Sequence, residues 1–160
     1  MVVADLKPPR LCGDERATLL ALLQFQRESV VRKVEGLDDD AARRHFVGSD
    51  TTLVWLVRHL AHAETLWLQV RFRGDDPDVL DVLAMESGTT LAEAVAAYRE
   101  TWSRVDQVIT QAQLDDLVAD DQELGPVNLR WVLTHLLEET ARHAGHADIL
   151  RELLDGSTGR

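Results

Sequence analysis

Four stretches of the chain repeat apolar residues at helical spacing, and none alternates convincingly as a half-buried strand would. The first runs from about Asp14 to Glu35, with Leu19, Leu22, Leu23, Val30 and Val34 on one side. Asp14 stands where an N-cap would, and Gly36 is a natural stop. The second runs from about Thr52 to Arg73, with Ser49 or Asp50 as its cap and Gly74 and Pro77 to end it. Leu56, Leu60, Ala63, Trp67 and Val70 form its stripe. The third runs from about Thr90 to Gln111; Thr89 or Thr90 caps it, and Glu93 is placed for a capping box. The fourth occupies about Val127 to Leu154, after a turn signal at Gly125-Pro126. Leu129, Val132, Leu136, Ala147, Leu150 and Leu154 define its apolar face. The connectors "GLDDDAARRHFVGSD" and "LDDLVADDQELGPVN" are polar, and the acidic runs "LDDDA" and "LVADDQE" read as solvated loops. This pattern predicts an all-α fold, an antiparallel four-helix bundle.

Polar residues interrupt two of these stripes. Each helical residue turns about 100°, which gives every side chain a direction. In the fourth helix His143 falls near the middle of the apolar face, and Glu139 lies one turn before it on the same side. His135 and His146 fall nearer the edge. In the second helix His59 lies inside the stripe, whereas His62 projects to a more polar side. A carboxylate on an apolar face is unfavourable unless it is paired, protonated or bound to metal. Direction on the helix disfavours pairing of Glu139 with Arg142 or Arg130. Two imidazoles and a carboxylate are suitable ligands for zinc and its first-row neighbours, and three protein ligands leave a position for water or substrate. Glu-x-x-x-His is a common spacing, so residue positions alone leave a metal site and a hydrogen-bonded core cluster as equal readings.

Composition narrows the function classes. The 160 residues suit one domain, 1–160 with a core from about 13 to 156, and a core that needs no staples. The net charge of -11 argues against nucleic acid or an anionic membrane as partner. The single cysteine, Cys12, excludes an internal disulfide and suits a reducing cytoplasm; it reads as an incidental thiol. No apolar run approaches the roughly 20 residues of a membrane span, and "MVVADLKPPR" has no apolar stretch of signal-peptide length. No nucleophilic serine motif, Walker loop or dinucleotide fingerprint occurs. Trp55, Trp67, Trp102 and Trp131 read mostly as packing residues, any of which could line a pocket, and Glu64 as a partner for His59 or for an arginine.

The stretches "LVWLVRHLAHAETLWL" and "LRWVLTHLLEETARHAGHADILRELLDG", with "LAEAVAAYRETWSRV" between them, resemble the DinB-like superfamily. The resemblance spans about Gly13 to Gly156. It is closest to an actinobacterial branch similar to mycothiol S-transferases and mycothiol-dependent maleylpyruvate isomerase. It implies a four-helix bundle, often a homodimer, with a divalent metal on one histidine of the second helix and a pair four residues apart on the fourth. Those ligands fall on His59, Glu139 and His143, with Gly145 matching a glycine common among relatives. Many relatives carry histidine where Glu139 stands, a departure that leaves the ion open; imidazole and carboxylate donors make zinc the expected ion, with nickel or another first-row metal as alternatives. His146 is a candidate substrate contact or an outer support of the ligands. The implied activity is a metal-dependent transfer of a low-molecular-weight thiol to a small electrophile in the cytoplasm. The competing readings are a non-catalytic bundle that binds metal or a small ligand, and a metal-dependent isomerase or hydrolase.

Overall fold

The computed structural model describes residues 6–83, 88–119 and 125–158. The last four residues of the acidic run "LVADDQE", 120–123, lie outside them. The described residues are helical, with no strand among them and one isolated antiparallel bridge, Leu117 to Asn128. The α-helices are α1 (Glu15–Val34), α2 (Asp39–Ala42), α3 (Leu53–Glu64), α4 (Leu91–Gln111) and α5 (Leu129–Asp155). A π-helical segment, Thr65–Arg73, continues directly from α3, and a 3-10 segment, Pro77–Leu83, follows it. The all-α class is therefore established.

Local chemistry explains where these helices begin. Asp14 accepts from the Ala17 amide at 2.8 Å. Thr90 and Glu93 form a reciprocal capping box at the start of α4. The hydrogen bonds to Thr90 hold the Glu93 carboxyl below the usual glutamate range. The cap of α3 is neither Ser49 nor Asp50: Thr52 Oγ1 accepts from the Trp55 amide at 3.2 Å, and Ser49 is turned to Thr51. Asn128 Oδ1 accepts from the Trp131 amide at 3.0 Å, which starts α5 two residues later than the apolar pattern suggests. α2 is a single turn inside a connector, started by Asp38 accepting from the Ala41 amide.

The second helix departs most from its expected form. A continuous α-helix to Arg73 would bury Trp67 and Val70. The π-helical i→i+5 bonding shifts the register, so Thr65, Leu68, Gln69 and Phe72 are buried while Trp67 and Val70 are only half-buried. The segment ends at Gly74, whose φ of +83° is unfavourable for any residue with a Cβ. A Cβ built there would also stand 3.1 Å from the Ala119 Cβ.

The described chain forms two compact units, Met1–Val57 with Leu137–Arg160, and Arg58–Leu136; the division falls inside the continuous helices α3 and α5. In the first, Leu23, Val30, Val31, Val34, Leu53, Leu56, Ala147 and Leu150 are buried. The Arg151 guanidinium donates to the Lys33 and Glu35 carbonyls, tying α5 to the end of α1. Lys33, itself buried, pairs with Asp148. Beside that pair lies a cavity of about 210 Å³ bounded by Phe25, Ser29, Ala141, Ala144 and Gly145. In the second unit Leu60, Leu68, Tyr98, Val105, Ile109, Leu129, Leu133 and Leu136 are buried. The Ala119 amide reaches the Arg71 and Phe72 carbonyls, and the Leu129 amide reaches the Asp116 carbonyl, so the connectors are fastened by backbone bonds.

Two outcomes follow for stability. Gly145 sits inside α5 with nothing within 4 Å of a Cβ built there. Gly145→Ala should stabilise the protein by about 0.5–1 kcal/mol through reduced chain entropy, raising the midpoint of a thermal melt by about 2 °C. A lower midpoint would show that the space is not usable. Thr90→Ala removes the α4 cap and should cost about 1 kcal/mol in urea unfolding at neutral pH. Because the Glu93 carboxyl is depressed, its share of the box is present above the ordinary glutamate pKa and lost as pH falls through the folded value. The difference between wild type and Thr90→Ala should therefore narrow in acid.

Candidate metal centre

α5 presents Trp131, His135, Glu139 and His143 at intervals of four, on successive turns of one side of the helix. His143 is buried, and the Glu139 side chain is 17% exposed. His143 Nε2 lies 2.9 Å from Glu139 Oε1, and His143 Nδ1 lies 3.3 Å from Nδ1 of the exposed His146. One proton assignment satisfies both contacts for a neutral His143: Nε2–H donates to the carboxylate, and Nδ1 accepts from His146. The second carboxylate oxygen, Glu139 Oε2, accepts from Arg142 at 3.3 Å, and Arg142 also donates to Glu138 at 2.6 Å. Pairing with Arg142, disfavoured by helix direction, therefore occurs. The long guanidinium reaches back three residues to the exposed edge of Glu139.

α3 contributes His59, which is half-buried, and Trp55 one turn before it. The Trp55 ring meets His143 edge-on, with centroids 6.2 Å apart and planes at 72°. One donor atom from each of His59, Glu139 and His143 lies within 4.8 Å of the other two. Among the described residues no other group of three such side chains comes this close. The donors match the chemistry of an open zinc site, which takes imidazole nitrogens and a carboxylate oxygen and leaves a position for a further ligand.

The remaining candidates fall into place by burial. His62 is exposed; partial burial of its ring, and then the charge of His59, hold its pKa below the usual histidine value. His135 stacks on Trp131, with centroids 5.1 Å apart and planes at 15°, and meets Trp67 at 4.7 Å. Glu64 is fully buried, and the Tyr98 hydroxyl donates to its Oε1 at 3.3 Å. Trp102 is packed within α4 contacts beside Tyr98. Trp55 and Trp131 are not packing residues in that sense, since they retain 37% and 42% exposure. Cys12 is exposed. Reading by α-helical direction missed two features: the approach of Trp55 to His143, and the cluster of Trp67, Trp131 and His135. The four-residue spacing of Trp131, His135 and Glu139 could have signalled the second.

A family model for mycothiol-S-transferase matches residues 18–156. A solved structure, the crystal structure of a conserved protein from Enterococcus faecalis, superposes with a TM-score of 0.62 at 18% identity. It covers 91% of this chain and 100% of its own, a likeness of fold. No curated protein matches the chain. Since the family match spans nearly all of the helical region, the chain belongs to the mycothiol-S-transferase family, a DinB-like family.

Proposed function

We propose that the protein is a divalent-metal-dependent transferase that joins a low-molecular-weight thiol of the mycothiol type to a small electrophile. His59, Glu139 and His143 are the proposed ligands. The observation that carries this reading is the approach of their donor atoms within 4.8 Å in a member of this family. A divalent ion bound there would lower the pKa of a coordinated thiol, making it nucleophilic at neutral pH. In the transfer the sulfur–carbon bond forms as the bond to the electrophile's leaving group breaks, and the thiol proton passes to solvent.

The chain's own side chains supply orientation. Arg142 holds Glu139 Oε2 and favours the ionised carboxylate. His146 engages His143 Nδ1 and so restrains the ring's rotation, the role that outer partners play for metal-binding histidines. The Trp55 ring packs against His143 in an edge-to-face contact that helps to hold the imidazole in place. Zinc is the proposed ion, with nickel or another first-row metal compatible with the same donors. A homodimer in the cytoplasm completes the reading, with neither nucleic acid nor membrane as partner; no helix among the described residues is long and apolar enough to cross a membrane.

One observation favours a second reading. The Glu139–His143–His146 contacts form a satisfied network without an ion, as a non-catalytic ligand-binding protein would require. His143→Ala separates the two. In the transferase, metal content by elemental analysis and consumption of mycothiol with an electrophile panel should fall together. Stability should drop by no more than about 2–3 kcal/mol, in the range of ordinary core substitutions. Full thiol transfer after loss of the metal would reject the metal–thiolate reading. Saturable ligand binding by the wild type, without turnover across the panel, would favour the second.

A further inference from the structure

The π-helical segment has a consequence beyond the metal donors. π-helical turns are rare and recur at functional sites, and this one follows the helix that carries His59. Its register leaves Trp67 half-buried instead of core-packed. Trp67 meets Trp131 at 5.3 Å and His135 at 4.7 Å, and the Arg71 guanidinium carbon lies 4.6 Å from the Trp67 ring centroid. The result is a compact group of three π systems and one fixed positive charge.

Its place on α5 matters as much as its composition. His135 precedes Glu139 by one turn and Trp131 precedes it by two, about 6 and 12 Å along a continuous helix. One face of Trp131 is taken by His135, yet the residue keeps 42% exposure. A tryptophan held nearly parallel to an imidazole at helical spacing offers a rigid flat surface at little further entropic cost. A flat conjugated group stacks on such a surface, and the Arg71 guanidinium over Trp67 is a local cation that attracts a negative charge on that group, against the repulsion of a net charge of -11.

We propose that Trp131, Trp67 and His135 form the platform that binds the electrophile, and that the electrophile is a planar conjugated molecule carrying a carboxylate or similar anionic group recognised beside Arg71. This deepens the transferase reading and rests on it for the word electrophile, but the binding itself requires no turnover.

The test compares the metal-loaded wild type with Trp131→Ala and Trp131→Phe, using 4-chloro-3,5-dinitrobenzoate as the planar anionic electrophile and iodoacetate as the small aliphatic one. For Trp131→Ala, KM for the dinitrobenzoate should rise about tenfold, the loss of one aromatic stack. Its kcat, metal content and kinetics with iodoacetate should stay within about twofold of wild type. Trp131→Phe should recover most of the loss. In parallel, isothermal calorimetry follows unreactive 3,5-dinitrobenzoate, which should bind wild type about tenfold more tightly than Trp131→Ala. An equal effect on both electrophiles, no effect on either, or no calorimetric binding to wild type would overturn the platform. Platform-dependent binding of 3,5-dinitrobenzoate with no thiol transfer to any electrophile would uphold the platform and reject the transferase reading.

Discussion

Glu139 sits one turn from a buried histidine on a helix side that also carries leucines, where an uncompensated carboxylate would be unstable. Both of its oxygens are engaged, Oε1 by His143 and Oε2 by Arg142. That compensation has a directional consequence. His143 must present Nε2 to the carboxylate, its other nitrogen is left to His146, and Trp55 then finds the ring edge-on. Without the carboxylate, the imidazole would lose the partner that selects its orientation. The group His59, Glu139 and His143 thus draws its order from an electrostatic requirement that exists before any ion binds.

Much of this was legible in the residues. Periodicity located the four long helical segments within a few positions, because apolar residues recur at helical spacing in each and glycines stop the first two. Asp14 and the Thr90–Glu93 pair are caps whose chemistry is local. The three candidate donors were selected by direction on the helix, since polar residues on a leucine face are conspicuous. What could not be read was the register change after Glu64. Nothing in "TLWLQVRFR" distinguishes i→i+4 from i→i+5 bonding, and the choice depends on what the segment packs against. An α-helical reading places Trp67 in a core that Leu68 and Phe72 occupy instead. The role of Arg142 was missed for another reason: side-chain length lets a guanidinium reach partners that its Cα direction does not suggest.

α5 carries different chemistry on its two sides. One side holds the aromatic and imidazole series that runs to His143. The other is lined by Ala141, Ala144 and Gly145 and borders the cavity beside the Lys33–Asp148 pair. That side is left partly open by the cavity, and the Arg151 bonds to the α1 carbonyls fasten α5 to the end of α1. A buried lysine is tolerated because its charge has a partner. Packing on this side and chemistry on the other are separable, so substitutions at Gly145 and at His143 should report on different properties.

Three of the four tryptophans touch an imidazole: Trp55 meets His143, and Trp67 and Trp131 meet His135. Indole emission depends on the groups in contact with the ring. The molecule therefore carries its own unlabelled optical reporter, in which the intensity of tryptophan emission follows displacement of the rings beside the candidate donors. The fourth, Trp102, is buried and packed edge-to-face against Tyr98, a setting unlike that of the other three.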